Sequence, residues 1–133
     1  MTPDIVTQIQ RFDPIDGDAR EFDSLLRNLF DTLPKKQSAM ILLTLLEDHP
    51  DEDGTPYWGI VHGLEANGGY EDLLRDSILS RPSFFGVLLA NRMLNANEGS
   101  EWIPDAFLSI AKSDQTTQRV KDIVEKFIAR IPK

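Results

Sequence analysis

The sequence predicts an all-α protein, because apolar residues recur at helical spacing along nearly the whole chain. The clearest stripe follows the spacing i, i+3, i+4, i+7, i+8, i+11 and consists of Phe22, Leu25, Leu26, Leu29, Phe30 and Leu33. No segment shows the sustained alternation of a strand, and Asp53-Gly54 and Asn67-Gly68 lie between helical patterns. With 133 residues, the chain suits one helical domain over residues 1–133.

The first two predicted helices differ in how much of their surface is apolar. Asp18 is the predicted N-cap of the helix with the six-residue stripe, and Pro34 follows its end. The second helix covers about residues 35–48 and is apolar on nearly every face from 39 to 46, which predicts burial at the centre of the domain. It stops before Pro50, because the residue before a proline avoids the helical region.

Proline and glycine divide the rest of the chain into five further helices. Thr55-Pro56 reads as an N-cap with proline at the first helical position, and this helix ends at Asn67-Gly68-Gly69. The next three begin near Tyr70, Phe84 and Ile103. The last repeats the spacing of the first stripe with Val120, Ile123, Val124, Phe127, Ile128 and Ile131.

The distribution of apolar faces predicts how these helices pack. The terminal helices are two-faced, whereas the second helix and the Phe84 helix are apolar nearly all round. This suits stacked antiparallel helix pairs, a short HEAT-like solenoid in which the outer pairs act as caps. The putative pairs share negligible sequence identity, so an irregular helical bundle of about six to seven helices is the alternative.

Acidic side chains are concentrated in the first half of the chain. Residues 1–56 hold 12 acidic and 5 basic side chains, a net charge of −7, and residues 57–133 hold 10 and 9, a net charge of −1. Phosphate backbones need clustered Lys and Arg, so we expect no nucleic-acid partner. Complementary fields favour a basic protein partner. The alternative is that the acidity only keeps the protein soluble.

Composition excludes several other classes of function. The chain has no cysteine and only two histidines, which leaves no thiolate site and no His-rich metal site. The apolar run at residues 39–43 is far shorter than a membrane span, and the first residues lack the pattern of a secretory signal. We therefore expect a cytoplasmic protein with no membrane association and no cofactor.

The helix that begins at Thr55-Pro56 carries the most unusual residues. Trp58, His62 and Glu65 share a face, and His and Glu three apart occur in di-iron bundles. Such sites need several more carboxylates and a second histidine, so we interpret His62 as partly buried, paired with Glu65 or with a neighbouring helix, beside a core Trp58. Gly59 and Gly63 each cost about 1 kcal/mol relative to alanine, which predicts the close approach of another backbone.

No other motif indicates catalysis. Asp48, Asp51, Glu52 and Asp53 form an acidic turn without the ladder of a calcium loop, so it reads as a solvated loop or as a partner-binding surface. The chain has no Gly-x-Ser-x-Gly elbow and no phosphate-binding glycine loop. We expect a protein that is not an enzyme, with a metal-dependent enzyme using His62 and Glu65 as the least favoured alternative.

Three segments of the chain carry a further signal: Tyr57-Trp58 with residues 60–65, residues 70–74, and residues 91–95. Together they resemble the immunity protein 30 family of bacterial polymorphic-toxin and contact-dependent growth inhibition systems. The resemblance covers about residues 57–95, and it implies that the matched residues maintain the scaffold: Trp58, His62, Glu65, Tyr70, Leu73, Leu74, Arg92, Leu94 and Asn95.

The resemblance implies a small helical protein, without catalysis, that binds and blocks the C-terminal toxin domain of a delivered effector. Such toxins are often nucleases with basic faces, which would suit the acidic half. Interfaces must differ between cognate pairs, so we place the contact on acidic residues outside the motif: Asp16, Asp18, Asp23, Asp31, Glu47, Asp48, Asp51, Glu52 and Asp53. The alternative is a helical adaptor or regulatory module. The oligomeric state stays open, with a monomer favoured.

Overall fold

The computed structural model describes residues 4–131 and confirms the all-α class. Over these residues the chain forms eight helices and no strand. They are α1 (Ile5–Arg11), α2 (Ala19–Thr32), α3 (Lys35–Asp48), α4 (Thr55–Asn67), α5 (Glu71–Ser80), α6 (Phe84–Asn95), α7 (Ile103–Lys112) and α8 (Gln118–Arg130). The count exceeds the predicted six to seven because of α1.

Helix α1 is a short element that packs on α2. The carboxylate of Asp4 caps it by accepting a hydrogen bond from the Thr7 backbone N–H at 2.8 Å. Ile5 and Ile9 are its buried residues, and the chain becomes extended at Phe12. Seven residues give only two positions of an apolar stripe, which is too short a pattern to predict a helix.

The remaining helices form two layers that alternate along the chain. In the first layer α2 contacts α4, α4 contacts α6, and α6 contacts α8. In the second layer α3 contacts α5, and α5 contacts α7. The layers meet through contacts of α3 and α7 with α6, among others, so the core lies between them. No helix within residues 4–131 is long and apolar enough to cross a membrane.

Burial follows the predicted faces of the helices with one exception. Helix α2 buries Phe22, Leu26 and Leu29, which form a single stripe. Helix α6 instead packs against its neighbours in the first layer and against the helices of the second layer, and it is buried on several sides. The prediction that α3 is buried at the centre of the domain is correct only in part: residues 42, 43, 45 and 46 are buried, but Met40 and Thr44 face solvent. Because Met40 is apolar, the sequence pattern does not distinguish this exposed face from the buried ones.

The predicted ends of α2, α3 and α4 are correct to within one residue. Asp18 caps α2 by accepting a hydrogen bond from the Arg20 N–H at 2.8 Å. Helix α4 begins one residue earlier than predicted, with Gly54 as its N-cap and Thr55 already helical. It ends at Gly68, whose φ of 71° is the left-handed conformation that glycine adopts without steric cost.

Candidate functional site

Trp58 and His62 of α4 stack on each other at the surface of the first layer. Their ring centres lie 5.8 Å apart with an angle of 29° between the planes, and Trp58 meets Phe85 edge to face with 5.6 Å between ring centres. Trp58 is half-buried and His62 is exposed. The expectation of a partly buried His62 paired with Glu65 is therefore wrong, because this face of α4 points to solvent and Arg92 holds the carboxylate of Glu65.

Glu65 and Arg92 form a two-pronged ion pair between α4 and α6. The Arg92 Nε and Nη2 atoms donate to the two carboxylate oxygens of Glu65 at 2.7 and 2.9 Å. This hydrogen bonding raises the pKa of the Arg92 guanidinium. The pair joins two neighbouring helices of the first layer.

The other motif residues differ widely in burial. Tyr70 and Leu74 are buried, Leu73 and Leu94 are half-buried, and Asn95 is exposed at the last residue of α6. Burial, and secondarily the nearby carboxylates, raises the pKa of Tyr70 to about 12. The motif segments therefore supply both core and surface residues.

The two glycines of α4 accommodate side chains of α2. A methyl group on Gly63 would lie 2.7 Å from Cε2 of Phe30, and one on Gly59 would lie 2.9 Å from Cδ1 of Leu26 and 2.5 Å from Oδ1 of Asp23. The predicted close approach exists, but it is made by side chains and not by a backbone. The glycines let α2 pack closely against α4.

The acidic turn between α3 and α4 is held by bonds to distant parts of the chain. Arg81 pairs with Asp48 at 2.9 Å and with Glu47 at 3.5 Å. The remaining carboxylates are also engaged: Asp51 accepts from the Thr117 hydroxyl at 2.5 Å, Glu52 accepts from the Gly54 N–H at 2.8 Å, and Asp53 pairs with Arg119. The turn is thus a cross-linked junction and not a freely solvated loop.

The other proposed interface carboxylates lie on or before α2. Asp18 is the cap of that helix, and Asp16, Asp23 and Asp31 are exposed. Within residues 4–131, these three form no ion pair. The nine proposed interface residues therefore fall into two groups. Those at the acidic turn are mostly bonded to other parts of the protein, whereas those on the α2 side, namely Asp16, Asp18, Asp23 and Asp31, mostly have no ion-pair partner among the described residues.

Tyr57, which the sequence offers only as an aromatic residue of the first motif segment, is a buried polar residue. Its side chain is fully buried, and its hydroxyl has no hydrogen-bond partner among the described residues. Burial raises the pKa of this phenol, and the carboxylates of Glu52, Asp48 and Asp13 raise it further. Nothing in the sequence separates this tyrosine from an ordinary core aromatic.

The geometry also bears on metal chemistry. Within the part of the chain that the structure describes, no group of three or more His, Asp or Glu side chains is arranged to hold a metal ion. His62 stacks on Trp58, and Glu65 is bonded to Arg92, so the two side chains are not placed to act together.

No protein-family model, no curated protein and no solved structure matches this chain. The resemblance to the immunity protein 30 family therefore stays a prediction. It rests on the short sequence motifs within residues 57–95.

Proposed function

We propose that this protein is an immunity protein that binds and neutralises a cognate bacterial toxin domain. The observation that carries the proposal is the surplus of exposed, unpaired carboxylates on the N-terminal half. Asp16, Asp23 and Asp31 face solvent without an ion-pair partner among residues 4–131, in the half whose net charge is −7. Such a field speeds association with a basic protein face and repels nucleic acid.

The proposal includes the architecture and the absence of catalysis. We read the two alternating layers as a short HEAT-like solenoid, a scaffold suited to presenting an extended surface to a partner. The side chains with the most catalytic character are occupied elsewhere, because Glu65 is bonded to Arg92 and His62 stacks on Trp58. A protein that neutralises a toxin inside its own cell would act in the cytoplasm.

The test is titration calorimetry with the toxin domain encoded beside this gene. We expect nanomolar affinity that weakens as salt is raised, because the attraction is electrostatic. Co-expression should also protect cells from that toxin domain. If a folded and active toxin domain shows no binding, the immunity function is wrong, and the helical adaptor becomes the reading to pursue.

A further inference from the structure

The outward face of the second layer carries a row of exposed apolar residues. Met40 on α3, Leu79 on α5 and Leu108 on α7 are 53%, 50% and 45% exposed. These helices lie side by side and turn their other sides toward the first layer, so the three residues share one face. Among the described residues, the only other large apolar side chain this exposed is Ile15. Apolar residues that recur across one face favour an interaction surface.

Three shallow grooves run between neighbouring helices on this face. Their volumes are about 280 Å³ between α1 and α3, about 260 Å³ between α3 and α5, and about 230 Å³ between α5 and α7. Each is smaller than the roughly 300 Å³ at which small-molecule pockets begin. Grooves of this size suit single side chains of a protein partner.

The groove between α3 and α5 combines an apolar floor with negative charge. Met40, Leu43 and Leu73 supply apolar surface, and Glu47 and Asp76 are its two charged residues. Asp76 is exposed and forms no ion pair within residues 4–131. Glu47 is 16% exposed and already accepts hydrogen bonds from the Ser77 hydroxyl and the Arg81 guanidinium, so Asp76 is the carboxylate of this groove that is free to bind a cation.

The two flanking grooves have the same character. Asp48 is the one charged residue that lines the groove between α1 and α3, and its carboxylate is already paired with Arg81. Between α5 and α7, Glu101 and Asp105 outnumber Arg75, whose guanidinium lies 5.9 Å from the centre of the Trp102 ring. A larger groove of about 440 Å³ beside Leu79 is lined by Glu47 and Arg81 and has no net charge, whereas the three grooves between the helices are apolar in part and net negative. That combination matches Lys and Arg, whose aliphatic stems cover apolar surface while the charged head reaches a carboxylate.

We propose that the face formed by α3, α5 and α7 binds a basic segment of a protein partner. Its Lys or Arg side chains enter the grooves toward Asp76 and Asp105, and its apolar residues cover Met40 and Leu79. The identity of the partner as a toxin domain rests on the proposed function, whereas the chemistry of the face does not. The free carboxylates of the α2 side, such as Asp31, then attract the partner from a distance without entering the contact.

Dissociation and association rates distinguish these two roles, because contact residues change dissociation and distant charges change association. The test compares Asp76→Lys with Asp31→Lys, which makes the same charge change at an exposed, unpaired helical residue of the first layer. Against the neighbouring toxin domain, we expect Asp76→Lys to raise the dissociation rate about tenfold or more. Asp31→Lys should lower only the association rate. Asp76→Asn, a milder variant, should change dissociation in the same direction.

The outcomes separate this inference from the proposed function. Tight binding by the wild type, with dissociation unchanged in Asp76→Lys or accelerated instead in Asp31→Lys, overturns the inference and leaves the immunity function standing. If the wild type does not bind the toxin domain, an amphipathic helical peptide of lysine and leucine serves as the probe against the isotope-labelled protein. Amide shifts in residues 40–48, 72–80 and 101–109 support the inference. Shifts confined to residues 13–31, or none, overturn it.

Discussion

Replacing Tyr57 with phenylalanine should stabilise the protein. The Tyr57 ring is fully buried, with the rings of Phe22, His49 and Phe85 at 5.5, 5.9 and 6.4 Å between centres. Its hydroxyl has no partner among the described residues. The substitution removes one polar atom and keeps these ring contacts, so the free energy of unfolding should rise.

The magnitude follows from the cost of burying an unpaired hydroxyl. Mutational data put that cost at about 1–3 kcal/mol, and the lost oxygen also gives up some packing contacts. We therefore expect a gain of about 1 kcal/mol in the free energy of unfolding, and a rise of roughly 3–5 °C in Tm for a chain of this size.

The same substitution should change the stability at alkaline pH. The pKa of Tyr57 is raised in the folded protein, so above pH about 10 the unfolded chain loses the phenol proton first and the folded state loses stability. Phenylalanine removes this contribution. Tyr70, with its pKa raised to about 12, should still cause a loss of stability as the pH rises from about 10 to 12.

Urea denaturation at pH 7 and pH 10.5, followed by circular dichroism, measures both effects. Tyr70→Phe is the matched control: it should reduce the alkaline loss without the gain at pH 7, because the Tyr70 hydroxyl is not buried without a partner. A Tyr57→Phe variant that is less stable than the wild type at pH 7 would refute the reasoning. It would mean that the hydroxyl makes a favourable hydrogen bond.

Four further substitutions test the packing of the first layer. Arg92→Ala and Glu65→Ala should each lower the free energy of unfolding by about 1–2 kcal/mol. The double variant should show a coupling energy of about 1 kcal/mol, because the pair is only part-buried. Purely additive losses would argue against the ion pair. His62→Ala should change the free energy of unfolding by no more than about 0.5 kcal/mol, because His62 is exposed. A larger loss of stability in a thermal melt would show that His62 does help to maintain the scaffold. Gly63→Ala should destabilise by about 1 kcal/mol, since overpacking against Phe30 exceeds the gain in helix propensity. A Phe30→Leu background should relieve that cost, and a stabilised single variant would contradict the steric argument.

The fold class could be predicted because helical periodicity is a local property of the sequence. The stripes of α2 and α8 extend over three turns, and the structure buries Phe22, Leu26 and Leu29 of one and Val120 and Val124 of the other. Helix α1 was missed because its pattern is too short. The signal that could have revealed it is Asp4, a capping residue directly before Ile5.

The surface could not be predicted in the same way, because ion pairs depend on distances between remote segments. Arg81 lies 33 residues from Asp48 in the chain, and Thr117 lies 66 from Asp51, yet each pair is bonded. The sequence therefore indicates an open acidic turn where the structure places a junction. Glu65 is a parallel case, since its partner is Arg92 in α6 and not His62 in its own helix.

Carboxylates that are bonded within the protein differ in role from those that are free to bind a partner. The bonds at the acidic turn and the Glu65–Arg92 pair tie together helices and loops that are remote in sequence, which rigidifies the framework of both layers. A rigid framework lowers the conformational entropy lost when a partner binds. The carboxylates without such partners, including Asp76 and Asp105, can bind a cation without breaking an internal bond. Partner recognition should therefore depend more on these ordinary surface aspartates than on the acidic cluster that stands out in the sequence.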